Sequence, residues 1–317
     1  MSNLEADVTE TDCPGHDAPG PMVELLESRE VPLGGVRGVS VHRTLPSRRF
    51  PTVGAWCFVD QFDPGETTMR VMPHPHTGLQ TVTWLFDGRV RHRDTLGTVA
   101  DIVPGQLNWM TSGAGVAHSE VADESAGGGR GLQLWVALPD SARHGPAGFE
   151  QLAELPEVER DGMHLTVLAG TVDGVTSPAR TFTPLVGAIV TLEAGAEVEL
   201  GVDADHEHAV QLVDGDASAE GTTVPHRAMA YLGTGRRTVR LHATAPSTLL
   251  LLGGEPFGED VLMWWNFVAR THDEVVQARE EWEAGSDRFG HVEGHGDERI
   301  PAPPMPEVRL TPRRRRG

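Results

Sequence analysis

From residue 50 to residue 255 the chain is a succession of short apolar or alternating runs separated by turn residues. The clearest are Val53–Asp60, Gln80–Phe86, Leu132–Leu138, His164–Ala169, Ala188–Leu192, Ala209–Val213, Thr238–His242 and Thr248–Leu252. Asp87-Gly88, Pro104-Gly105, Asp173-Gly174 and Asp214-Gly215 punctuate them, which predicts an all-β chain of many short strands, a sandwich or a barrel. One stretch has a different period. Thr271-His272-Asp273-Glu274 has the form of a capping box, and Val275, Ala278 and Trp282 follow at i, i+3 and i+7 before Gly285. That spacing predicts a helix that lays its apolar stripe on a sheet.

Two of the strands share a further feature. Thr83–Gly88 and Gln211–Gly215 both close on Asp-Gly, and each follows a His-x-His pair, His74-Pro75-His76 or His206-Glu207-His208. The repetition suggests an internal duplication, hence two barrels, and 317 residues suit two domains. The expected organisation is a disordered acidic leader (1–22), a first barrel (23–145), a second barrel (146–256), a helical segment (257–285) and a disordered tail (286–317).

Composition narrows the function classes. The 37 Gly and 23 Pro match many turns and exclude a helical bundle or coiled coil. With 26 Arg, no Lys and 46 acidic residues the net charge is −20, which argues against a nucleic-acid binder driven by bulk charge. The run Arg313 to Arg316 is read as a solvated tail and carries no function. Two cysteines, Cys13 and Cys57, make no disulfide framework, the leader lacks an apolar core, and no run approaches a membrane span. The expectation is a cytoplasmic protein with no membrane partner, with Cys57 as buried filler.

The candidate chemistry lies in His74, His76, His118 and Glu120. Residues two apart on a strand share a face, so each pair can point inward, and two pairs on facing strands make a cluster of three imidazoles and a carboxylate. Such a set suits Fe(II), Mn(II), Ni(II) or Cu(II). A lone His-x-His arises readily by chance, but two matched pairs beside Gly/Pro turns do so rarely. His206 and His208 have no His-x-Glu partner, the nearest histidine being His226, so the second barrel is expected to be metal-free. His92, in Arg91-His92-Arg93-Asp94, could stand behind the metal ligands but reads better as exposed, and Asp60, Phe62 and Asp63 lead into a loop that could rim the first barrel. Trp56, Trp84, Trp109 and Trp135 all fall in the first half and read as core beside a pocket for a flat ligand. Gly113-x-Gly115 opens no dinucleotide fingerprint, so no organic cofactor is expected.

Four segments together resemble the pirin family of bicupins. They are His-Pro-His-x-Gly-x-x-Thr-Val-Thr at 74–83, Gly-x-Val-x-His-x-Asp-x-x-Gly at 88–97, Pro-Gly-x-x-x-Trp-Met-Thr-x-Gly-x-Gly-x-x-His-Ser-Glu at 104–120, and Leu-Gly-Gly-Glu-Pro-Phe at 252–257. The resemblance implies two cupin (jelly-roll) β-barrels face to face, with iron (Fe2+) held in the N-terminal one by His74, His76, His118 and Glu120. For some family members it implies quercetin 2,3-dioxygenase activity, and for others a redox-sensitive transcriptional coregulator. The expected function is iron-dependent cleavage of a flavonol-like ring, with a small aromatic substrate, dioxygen, and Glu120 as proton acceptor. The alternative is a metal-bearing, redox-sensitive binding module that regulates a protein partner without catalysis. Many pirins carry Glu at the place of Gln80, so an extra carboxylate ligand is missing here.

Overall fold

In the computed structural model the apolar runs become strands, because one face of each is buried against a second sheet. Residues 11–13, 20–33, 39–63, 69–126 and 128–311 are described by the structure. The Arg313–Arg316 run and most of the acidic leader lie outside the described residues.

Two sets of sheets repeat the same plan. In the first, a seven-stranded sheet runs in the order Gly148–Leu152, Leu107–Thr111, Leu79–Gly88, Gly129–Ala137, Trp56–Phe62, Val39–Leu45, Arg29–Leu33. It is closed by a four-stranded sheet ordered Arg70–His76, Val116–Ala122, Val90–Asp94, Val99–Ile102. The second set likewise has a seven-stranded sheet, with Leu185–Leu192, Ser247–Gly254 and Glu207–Asp214 at its centre, and a four-stranded one, Glu197–Gly201, Thr238–Ala243, Ala217–Ala219, Thr222–Val224. The duplication is therefore real in topology, but its histidine pairs are not equivalent. The strand that matches Arg70–His76 in the second barrel is Glu197–Gly201, which has no histidine, whereas His206 precedes and His208 lies in Glu207–Asp214, a strand of the larger sheet.

The larger sheets face each other. Trp56, Val82, Trp84, Leu132 and Leu134 from one pack with Leu168, Ile189, Leu250 and Leu252 from the other in one buried cluster. Polar groups trapped in this interface find partners across it: Trp56 Nε1 donates to Val186 O (2.8 Å), Gln61 Nε2 to Val213 O (3.0 Å), and Gly54 N to Glu207 Oε1 (2.6 Å). The interiors differ in kind. The second barrel is filled with Leu165, Val190, Val210, Leu212, Leu249 and other aliphatic side chains, while the first buries His74, His76, His92, His118 and Glu120.

The structure moves three expected boundaries. Gly148–Leu152, expected in the second barrel, pairs with Leu107–Thr111 of the first. Glu24–Leu26, expected in the first, pairs with Met229–Tyr231 of the second, and Thr11–Cys13, expected in a disordered leader, is a strand paired with Val261–Met263. The tail expected to be disordered from 286 is packed as far as 311: Phe289, Val292, Ala302 and Leu310 are buried with the helix residues Val275, Ala278 and Trp282. The helix itself, His272–Glu283, has the expected capping box, with Thr271 as N-cap accepting from the Glu274 N–H. Helix and tail cap the first barrel rather than the second. Val268 N donates to Thr77 O (3.0 Å) and Ile300 N to Pro73 O (2.8 Å). Gly78, at φ +70°, allows this approach, since a Cβ there would stand 2.0 Å from Val268 O. No helix among the described residues is long and apolar enough to cross a membrane.

Candidate metal centre

Arg70–His76 is the edge strand of its sheet, where Pro73 and Pro75 can lack N–H groups without breaking a ladder. Alternation then turns His74 and His76 inward, and the neighbouring strand Val116–Ala122 places His118 directly opposite His74. A register shift between His118 and Glu120 sets Glu120 against Val71. All four side chains are buried.

Nitrogen atoms of His74, His76 and His118 lie within 4.8 Å of one another, and a second, overlapping group joins His118, His92 and Glu120. Two backbone carbonyls decide which nitrogens carry protons. His74 Nδ1 is 2.9 Å from Met72 O, and His76 Nδ1 is 3.2 Å from Asn266 O. A carbonyl only accepts, so Nδ1 is the donor in both rings and Nε2 keeps its lone pair. His118 is set through a longer chain. Its Nδ1 lies 3.3 Å from His92 Nδ1, and His92 Nε2 lies 3.2 Å from Asp94 Oδ2. With Asp94 ionised, His92 donates through Nε2 and accepts at Nδ1, which leaves His118 Nε2 bare as well. Burial alone would raise the Asp94 pKa. The His92 and Thr98 hydrogen bonds outweigh it and hold the carboxyl below its ordinary value.

Three bare nitrogens thus converge. His76 Nε2 and His118 Nε2 are 3.1 Å apart, and His74 Nε2 is buried with no hydrogen-bond partner. Lone pairs so placed repel unless a cation sits among them. Burial pushes His74 and His118 well below the ordinary imidazole range and His76 down to about 3, so the rings are neutral, as ligands must be. Thr83 Oγ1 lies 3.3 Å from Glu120 Oε1 and 2.9 Å from Gln133 Oε1. Three imidazoles with an adjoining carboxylate fit a first-row divalent ion.

Other expectations change. His92 is 2% exposed, not a surface residue, and stacks on Phe149 at 4.5 Å. Its burial was legible in the alternation Val90, His92, Asp94 against Arg89, Arg91, Arg93, whereas no local signal pointed to the Asn266 carbonyl, which comes from the C-terminal cap. Asp60 is no rim residue: it is 0% exposed and paired with Arg43. Phe62 is buried too, and Asp63 pairs with Arg130 and Arg227. The Gln80 amide is directed at Thr111 and Arg180 O. Cys57 is buried, which pushes its thiol up to about 12. Trp56, Trp84, Trp109 and Trp135 are buried, and Trp135 meets His76 edge-on at 5.3 Å.

The profile described as Pirin matches residues 38–136, and that described as Pirin C-terminal cupin domain matches residues 188–290. A Pseudomonas aeruginosa protein with a provisional quercetin 2,3-dioxygenase name is 37% identical over 314 residues, covering 96% of this chain and 98% of that protein. The chain belongs to the pirin family. A pirin-like protein of Caulobacter vibrioides is 36% identical over 295 residues, covering 89% of this chain and 100% of its own length. A crystal structure of quercetin 2,3-dioxygenase from Acinetobacter baumannii is similar at TM-score 0.87 and 37% identity, covering 92% of this chain and 98% of its own. The two barrels are the cupins of the pirin fold.

In the pirin C-terminal cupin of this chain, His208 is buried with neither ring nitrogen bonded, and burial, aided by His206, lowers its pKa to about 4. An unfolded chain takes up that proton below about pH 6.5, so stability is lost as pH falls from there toward about 4, by about 1.4 kcal/mol per unit. His208→Leu is expected to flatten the slope of unfolding free energy between those limits by about that amount. Equal slopes in urea titrations of the two proteins would show that His208 titrates alike folded and unfolded.

Proposed function

We propose that this chain is a metal-dependent dioxygenase that opens the ring of a flavonol-like phenol. Iron(II) would be held by His74, His76, His118 and Glu120. The observation that carries the reading is the convergence of three neutral, proton-free Nε2 atoms beside a carboxylate inside a closed barrel. The provisional name of the Pseudomonas relative supports the substrate class, as does the likeness to the Acinetobacter quercetin 2,3-dioxygenase.

When bound, the ion supplies Lewis acidity toward a phenolic hydroxyl and one-electron chemistry toward dioxygen. The chain's own groups do the rest. Met72 O, Asn266 O and the His92–Asp94 pair hold the three rings in one tautomer, so no proton competes for Nε2. Glu120 is the proton acceptor for the hydroxyl, and Thr83 steadies its Oε1. Trp135, stacked on Phe58 at 4.0 Å, meets His76 edge-on and fixes that ring from the side. Burial of these side chains keeps water away and strengthens each of these interactions.

The test is oxygen uptake by purified protein whose iron content has been brought to about one per chain, over a panel of flavonols and catechols. Uptake that depends on the phenol and is lost in Glu120→Gln supports the reading. A fully loaded protein that consumes no oxygen with any of them sinks it.

A further inference from the structure

The outer face of the metal-bearing sheet carries a basic hollow that this chemistry does not use. On the strand Val90–Asp94, alternation buries Val90, His92 and Asp94 and leaves Arg91 and Arg93 outside, with Arg89 just before the strand on the same face. Ser119 and Val121 look out from the strand whose His118 and Glu120 look in, and Arg70 and Arg91 flank Val121 on either side. The C-terminal segment folds over this face: His295 Nε2 lies 2.8 Å from Ser119 Oγ, and Gly294 packs on the Arg93 side chain. Together they enclose about 490 Å³.

The charges in this hollow do not balance. Four guanidiniums, from Arg70, Arg89, Arg91 and Arg93, meet two carboxylates, Asp101 and Asp123, in a chain whose net charge is −20. Arg91 is matched by Asp101 at 2.7 and 2.9 Å. Arg89 stands 3.8 Å from Asp123, and Arg70 stands 3.7 Å from Glu298, both too far for hydrogen bonds. The Arg93 guanidinium makes no hydrogen bond or ion pair with the described residues. Like charges on alternate positions of one strand repel, so the arrangement is stabilised by an anion among them.

We propose that the hollow binds a small oxyanion of the phosphate class, a phosphate or diphosphate group on a metabolite, gripped by Arg93 and Arg70. Guanidinium forks match phosphate oxygens, and an anion neutralises Arg93, the guanidinium left over once Asp101, Asp123 and Glu298 are set against the other three. The volume admits more than a lone carboxylate. A long polyanion is disfavoured, because the field of the whole chain repels it beyond the hollow.

Calorimetric titration of the full chain with inorganic phosphate and with pyrophosphate, at fixed ionic strength, tests this. Saturable binding is expected, tighter for pyrophosphate, and weakened about tenfold in both Arg93→Gln and Arg70→Gln. The Arg70 side chain is 65% exposed, so Arg70→Gln serves even if Arg93→Gln fails to fold. Arg309→Gln, which alters an exposed arginine paired with Asp273 elsewhere, should bind as wild type does. Phosphate can also ligate a metal, so His118→Ala must retain binding. Absence of saturable binding, full affinity in Arg70→Gln, or loss of binding in His118→Ala overturns the proposal.

Discussion

His118→Ala is expected to leave a folded protein that no longer retains metal through desalting. His118 is the hinge of the cluster: its Nε2 faces His76 Nε2 at 3.1 Å, and it belongs to both groups of potential ligands. Without it His74 and His76 remain as a pair on one edge strand, with Glu120 on the neighbouring strand beyond the gap. Elemental analysis should fall from about one ion per chain to near zero, a loss larger than the roughly 10–100-fold that follows removal of a ligand's supporting partner. His92 supplies that smaller effect for comparison. His92→Phe keeps a ring against Phe149 but removes the acceptor for His118 Nδ1–H, so affinity should drop about 10–100-fold while stoichiometry recovers at high metal. His92→Gln, which can still accept, should recover part of the loss. Full metal retention by His118→Ala would falsify the ligand set.

The largest expected stability loss lies elsewhere, in Asp60→Ala. Arg43 and Asp60 face each other on adjacent strands and form a bidentate pair, Nε to Oδ1 at 2.7 Å and Nη2 to Oδ2 at 2.8 Å. Both side chains are almost fully buried, and the guanidinium also lies over the Phe58 ring at 4.1 Å. Removing the carboxylate takes the bidentate partner from a buried cation, which costs about 3–5 kcal/mol. Replacing both at once, Arg43→Met with Asp60→Leu, removes the charge with its partner and should restore most of that loss. Urea unfolding of the single and double variants separates the two outcomes. A double variant as unstable as Asp60→Ala would mean that shape rather than charge governs this site.

Much of the molecule was legible locally. Turn pairs and apolar runs marked the central strands because a buried strand must be apolar wherever it meets the opposite sheet, and Thr271 to Gly285 spelled a capped helix because capping is a short-range matter. His74, His76, His118 and Glu120 could be singled out because period two is a property of any strand. The same rule, applied to Val90–Asp94, would have found His92 and Asp94. It was masked by three arginines whose exposure colours the whole segment polar. The matched His-x-His pairs misled for a related reason: similarity of short motifs carries no information about which sheet a strand joins.

Local sequence alone was enough for the all-β class, the helix, and the inward-facing candidates for one metal centre, since each follows from side-chain period and from turn or cap chemistry within a few residues. Long-range packing was needed to assign each terminal segment to its barrel, to make residues 286–311 a cap, and to set which ring nitrogen each histidine leaves bare. Those depend on groups far apart in the chain, the Asn266 carbonyl on His76 being 190 positions away. A hydrogen bond is specific to distance and direction in space, and a linear pattern records neither.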